Sequence, residues 1–262
     1  MLNNAAQTQD LFYKNSDSFG LLTLHKEKKV TLRKFTINPC IMDLPMYDTL
    51  LSLPLFQGMS QADFNSLLQK VRLDFVRYEE GSIIISAGER CKCFAFLING
   101  TVESSRNGME GSLTYMEQID APFLIEPYSM FGRAGCYQRS YTATTPCSFL
   151  MVDKQYIYTE LGKYNICRMN LLNILSGRVQ QLDSHIWALE GTDLRGRIIR
   201  FIKGLSDTQT GTKRLSIKMN DLATLMDATR LNVSRELNAL EAEGLISLRR
   251  KEILIPALEN LT

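Results

Sequence analysis

The chain has 262 residues, 45% of them apolar and 22% charged, and 30 Lys and Arg against 28 Asp and Glu leave a formal net charge of +2. This balance excludes collagen-like, mucin-like and broadly disordered chains. No run approaches the ~18 apolar residues of a membrane span, and residues 1–30 lack a basic start followed by an apolar block, so neither a membrane partner nor a secretory leader is expected. The length suggests about two domains. Six cysteines (Cys40, Cys91, Cys93, Cys136, Cys147 and Cys167) show no framework spacing, which fits a reducing cytoplasm. Charge is uneven: residues 193–262 hold 12 Lys and Arg against 9 Asp and Glu, whereas residues 42–192 hold 12 against 16. A basic C-terminal segment behind an acidic middle suggests a nucleic-acid module joined to something else.

Residues 1–45 read as a poorly ordered extension. It carries the basic run His25-Lys26-Glu27-Lys28-Lys29, and Met42 or Met46 would serve as an alternative start. Ser60-Gln-Ala-Asp63 is a capping box, and Phe64, Leu67, Leu68 and Val71 follow at helical spacing. From residue 71 to 153 the period changes to two. Val71, Leu73 and Phe75 alternate, as do Phe94, Phe96 and Ile98, and Cys147, Phe149 and Met151, with the β-branched run Ile83-Ile84-Ile85 between. Turn signals at Gly81, Gly88, Asn99-Gly100 and Asn107-Gly108 set the rhythm of a small antiparallel barrel or sandwich.

Residues 155–190 return to helix. Leu172, Leu175, Val179, Leu182, Ile186 and Leu189 are spaced three and four apart, a narrow apolar stripe that suits pairing with a second copy of the helix. A core-facing helix would show a wider face. Gly191 can end this helix, and Thr192 or Asp193 can cap the next, so the domain boundary is placed at 191.

Residues 216–246 carry the most specific pattern. Leu222, Ala223, Leu225 and Met226 give a short helix an apolar face, and Asp227-Ala228 can turn the chain. Thr229 can cap a second helix in which Val233, Leu237 and Leu240 are spaced for burial. Its other face shows Arg230, Asn232, Ser234, Arg235 and Asn238, and Gly244 stops it. This is a helix-turn-helix. Arginine offers guanine a two-pronged donor and asparagine pairs with adenine, so Arg230, Asn232, Ser234 and Arg235 are expected to read base edges. Lys218 and Thr229 are expected on the DNA backbone. Two further strands, around 245–248 and 253–256, enclose Arg249, Arg250 and Lys251. They read as a wing whose basic tip lies along the sugar-phosphate chain.

The order of these parts resembles the Crp/Fnr superfamily of bacterial transcription regulators over about residues 50–256. The likeness is strongest at Asp221-Leu-Ala, Thr229-Arg230, Asn232-Val-Ser-Arg235, Leu237, Leu240-Glu241 and Gly244-Leu-Ile246, with Gly81, Gly88 and Asn99-Gly100 matching turn glycines. The resemblance implies an α+β fold: a cyclic-nucleotide-binding-like β-roll over 46–160, a long dimerisation helix over 161–190, and a winged helix-turn-helix over 191–262. It implies an effector-responsive homodimer on near-palindromic double-stranded DNA, with RNA polymerase as a further partner near the 206–213 loop. It also puts Leu231 beside Arg230 and Arg235 at the main base-reading positions. Well-known members have an acidic residue where Leu231 stands, so a different half-site is expected.

Glu126, Arg139 and Ser140 look like the family's effector-binding trio. Against cAMP stand Ile125 in place of a glycine, Pro127 after the glutamate, and a gap of 13 residues from Glu126 to Arg139. Leu182 and Asp183 on the long helix also lie where the cAMP-binding relative has hydroxyl residues against adenine, Asp183 being unfavourable near a phosphate ligand. The effector is left unknown. An ion pair between Arg139 and Glu126 is the plainer role for that arginine. Two other functions find little support in the residues. An iron–sulfur or redox sensor would use the cysteines, but Cys40 stands alone near the start and Cys91-Lys-Cys93 is a bare pair. A cupin-like metal enzyme would need several histidines in the roll, yet His25 and His185 both lie outside it, and neither a Gly-x-Ser-x-Gly elbow nor a Walker loop is present. No metal and no catalysis are expected.

Overall fold

The computed structural model describes residues 35–36, 44–108, 112–187 and 193–261. The basic run near His25, Cys40, Leu189 and the hinge at Gly191 lie outside the described residues, as does the side chain of Ile186.

Two helices, α1 (Leu44–Ser52) and α2 (Gln61–Leu68), precede most of the strands. The capping box forms as spaced: Ser60 Oγ accepts from Asp63 N at 3.1 Å and donates to Asp63 Oδ2 at 2.7 Å. The strands are β1 (Phe35–Thr36), β2 (Leu73–Tyr78), β3 (Ile83–Ile85), β4 (Cys93–Asn99), β5 (Thr101–Asn107), β6 (Leu113–Asp120), β7 (Phe123–Ile125), β8 (Ser140–Ala143) and β9 (Cys147–Asp153). One antiparallel sheet runs β1-β2-β9-β4-β7, and β6-β5-β8-β3 belong to a second. Phe94, Phe96, Leu97, Phe149 and Leu150 belong to one buried core built on this first sheet, which also takes in Phe56 and Phe64 of the leading segment. This is the roll that the period-two pattern called for.

The turn from β4 to β5 depends on Gly100. Its φ is +91°, and a Cβ there would stand 2.6 Å from the Pro146 carbonyl oxygen and 2.7 Å from Cys147 Cβ. Gly100→Ala is expected to destabilise the chain by about 1–3 kcal/mol from backbone strain alone. Urea unfolding of the variant beside the wild type measures this, and equal midpoints would contradict it.

The expected helix over 155–190 divides into α3 (Lys154–Thr159) and α4 (Asn165–Trp187). Leu161 is buried in the roll core, and the chain tightens around it before α4 begins. The first half of α4 lays Ile166, Cys167, Leu171 and Ile174 on the roll, while Met169, Leu172, Val179 and Leu182 remain exposed and Leu175 is half-buried.

Asp193 caps α5 (Leu194–Leu205) by accepting from Gly196 N at 2.9 Å. After it come β10 (Lys213–Ile217), α6 (Met219–Leu225), α7 (Arg230–Ala242), β11 (Ser247–Arg249) and β12 (Glu252–Ile255). Ile198, Ile202, Leu215, Val233, Leu237, Leu240 and Ile255 form a second core.

Packing crosses the boundary placed at 191. Strand β10 pairs with β12 on one edge and with β6 of the roll on the other, setting Lys213 opposite Glu117, Leu215 opposite Tyr115 and Ile217 opposite Leu113. The second sheet therefore runs β11-β12-β10-β6-β5-β8-β3 through both parts of the molecule. Tyr115, a roll residue by sequence, is buried in the second core, and Leu113 packs against it.

Candidate functional site

Helices α6 and α7 and the β11–β12 hairpin form one face of the C-terminal part. Between the helices Asp227 takes φ +45°, and Ala228 N donates to the Ala223 carbonyl at 3.0 Å, which closes the turn. Thr229 Oγ1 accepts from Asn232 N at 3.2 Å, so the cap is made as spaced and the hydroxyl proton is free to be donated outward. Val233, Leu237 and Leu240 have no exposed surface, which fixes the roll of the helix about its axis. Arg230, Leu231, Asn232, Arg235 and Asn238 then face solvent, with Ser234 half-buried among them. The expected base-reading residues Arg230, Leu231, Asn232, Ser234 and Arg235 thus lie in the leading turns of α7, the part of such a helix that reaches base edges.

The expected backbone contacts lie on the same side. Lys218 precedes α6, and Arg249, Arg250 and Lys251 are exposed on the wing, with Lys251 at φ +62° in the tip. A groove of about 320 Å³ runs between them, lined by Lys218, Asn220, Arg230, Arg249 and Lys251. Among the described residues, none of the cations Lys218, Arg230, Arg235, Arg249, Arg250 and Lys251 makes an ion pair, whereas Arg195 is neutralised by Glu243 and Arg214 by Glu252. One residue that the sequence reading gave no role holds the wing in place: Glu241 Oε1 accepts from Leu248 N at 2.7 Å and so ties α7 to β11.

In the roll, Glu126, Arg139 and Ser140 lie close together but are bound by the protein itself. Glu126 sits in the left-handed region at φ +33°. Its carboxylate accepts from Ser129 Oγ at 2.6 Å, Gln138 N at 2.8 Å, Arg139 N at 2.9 Å and Tyr141 OH at 3.1 Å. Ser140 Oγ accepts from Ala87 N at 3.0 Å. The Arg139 side chain is 1% exposed and turns away from Glu126. Its Nη1 donates to Glu117 Oε1 at 2.7 Å, its Nη2 to the Leu205 carbonyl at 2.6 Å, and its Nε lies 3.1 Å from Asp207 Oδ2. The arginine thus pairs with Glu117 and Asp207, and not with Glu126 as its sequence position suggests.

Glu117 is the centre of this network. It also meets Lys213 Nζ at 3.0 Å and accepts from Asp207 N at 3.0 Å. Arg178 of α4 reaches Asp207 at 2.7 Å, so roll, long helix and C-terminal part converge on buried charges. Burial strips water from the Asp207 carboxyl and moves its pKa up to about 6, although Arg139 pulls the other way. Burial also disfavours charge on Arg139, but the Asp207 and Glu117 carboxylates outweigh it and raise its hold on its proton. Beside the network a cavity of about 240 Å³ is lined by Phe123, Leu124, Tyr128, Ile174, Arg178 and Asp207. The cysteines offer less chemistry. Among the described residues no group of three or more His, Cys, Asp and Glu is placed to hold a metal, and burial moves the Cys93 thiol up to about 11.

Residues 75–164 match the cyclic nucleotide-binding domain family, and residues 196–262 match the Crp-like helix-turn-helix domain family. The chain is 25% identical over 193 residues to the cAMP-activated global transcriptional regulator CRP of Pasteurella multocida, covering 68% of this chain and 88% of that one. It is 27% identical over 199 residues to the global nitrogen regulator of Synechococcus elongatus, covering 71% and 87%. Among solved structures it is similar to the catabolite activator protein of Thermus thermophilus, with a TM-score of 0.47, 20% identity, and coverage of 79% of this chain and 96% of that one. A capped helix-turn-helix with an unneutralised basic face, joined to a nucleotide-binding-type roll, defines a DNA-binding transcription regulator. The chain belongs to the Crp/Fnr family. No described helix is long and apolar enough to cross a membrane.

Proposed function

We propose that the protein acts in the cytoplasm as a homodimer that reads a near-palindromic duplex with two copies of α7 and answers to a small effector in the roll. One observation carries the DNA-reading part: Lys218, Arg230, Arg249 and Lys251 line one groove, and these four and the exposed Arg235 and Arg250 have no ion-pair partner among the described residues. Duplex phosphates supply the missing counter-charge. Selection from randomised duplexes with the full chain tests this. One enriched motif with half-sites a DNA turn apart, about 34 Å, is expected. Enrichment of no motif at any salt concentration would overturn the reading.

The exposed stripe Leu172, Val179 and Leu182, with Leu175 beside it, supports self-association through α4. Val179→Glu, at a position 65% exposed in the single chain, is expected to yield monomers in sedimentation without loss of fold. A dimer of unchanged affinity would remove α4 from the interface.

The relatives include proteins named as cAMP-activated. Here Glu126, Arg139 and Ser140 are engaged by the protein's own groups, and the adjoining cavity is mostly apolar with Arg178 at its edge. These features support an effector other than cAMP, with an apolar body and an anionic group. Such a group would act by taking the place of Asp207 on Arg178, which couples the long helix to Ser206 and Asp207. RNA polymerase is a further partner in this reading, met at Gln209 and Thr210, the exposed residues of the 206–213 loop.

A further inference from the structure

Leu231 is 68% exposed, more than any other large apolar side chain described. It lies in the first turn of α7, next to Arg230 and Asn232. Leu231, Ser234, Arg235 and Asn238 follow one another at i, i+3, i+4 and i+7, so they form a single stripe opposite the buried Val233, Leu237 and Leu240. Every other member of that stripe is polar. Neither core claims Leu231, and the unpaired arginines beside it call for an anionic partner rather than an apolar one.

A duplex meets both demands. Its phosphates answer the arginines, and its major groove shows one apolar feature, the C5 methyl group of thymine. We propose that Leu231 reads a thymine methyl, so that each half-site contains a thymine recognised by contact with that methyl and not by a hydrogen bond. This rests on the DNA-binding reading and adds the identity of one base to it. A protein partner seated on the same stripe is the competing occupant, and the surrounding cations make it the weaker one.

The test uses the full chain and the motif enriched from randomised duplexes. Each thymine of that motif is replaced in turn by deoxyuridine, which removes the methyl and leaves base pairing intact. At one thymine per half-site the replacement is expected to weaken wild-type binding about three- to fivefold, the effect of one buried methyl. Leu231→Ala, at an exposed site and with its thermal midpoint checked, is expected to bind the thymine and uracil duplexes equally at that position and to lose the thymine preference on reselection. Uracil tolerated at every position by the wild type would overturn the proposal. So would an equal uracil penalty in Leu231→Ala, or an unchanged reselected motif. A wild-type chain that enriches no motif would overturn this proposal together with the DNA-binding reading, whereas a motif lost on Arg235→Ala but indifferent to Leu231 would overturn this one alone.

Discussion

Glu117→Ala is expected to destabilise the protein by about 3–5 kcal/mol, the range for removing one partner from a buried ion pair. Glu117 side-chain exposure is 0%, and it faces two cations, Arg139 at 2.7 Å and Lys213 at 3.0 Å, whose side chains are 1% and 0% exposed. Truncation leaves both charges in the interior without this counter-ion, and the Asp207 amide loses its acceptor. Asp207 still holds Arg139, so Lys213 bears most of the cost. The double variant Glu117→Ala with Lys213→Met is therefore expected to recover part of the loss. Urea unfolding followed by tyrosine fluorescence and by far-UV circular dichroism measures it. A loss below about 1 kcal/mol would mean that water reaches the network and screens it.

The second large effect concerns DNA. Arg235→Ala is expected to cost about 1–3 kcal/mol on the selected site while leaving affinity for random duplex nearly unchanged. The wing should respond in the opposite sense. Arg250→Ala is expected to weaken selected and random duplexes alike and to reduce the salt slope of binding by about one. Fluorescence anisotropy titrations at several salt concentrations separate the two. A loss for Arg235→Ala that is equal on both duplexes would make it a phosphate contact.

What was legible in the sequence is what local chemistry decides. The Thr229 cap, the buried triplet Val233, Leu237 and Leu240, and the Ser60-Asp63 box each involve residues within a few turns of one another, and each formed at the expected positions. On α4 the spacing likewise placed Leu172, Val179 and Leu182 on an exposed stripe. Strand β10 was not foreseen. Its alternation, Leu215 and Ile217 inward, is interrupted by Lys213, which is wholly buried because Glu117 lies opposite it. That pairing joins positions 96 residues apart, and nothing in the local pattern around residue 213 announces it. The partner of Arg139 was hidden in the same way. Asp207 sits in a polar loop that reads as solvated surface, and only the path of the chain after α5 turns it inward. Leu231 was placed by resemblance, but its degree of exposure became visible only when the buried face of α7 was fixed.

The pairing of β6 with β10 bears on how this molecule can be taken apart. A C-terminal fragment beginning near Asp193 keeps the reading helix and the wing but loses Tyr115 and Leu113, which close its apolar interior. It also bares one side of β10, a row of backbone donors and acceptors ready to join any similar strand. Such an excised piece should clump in solution even though every residue proposed to face DNA is intact. A clean truncation for binding work would therefore need the 113–120 strand supplied in trans or grafted on.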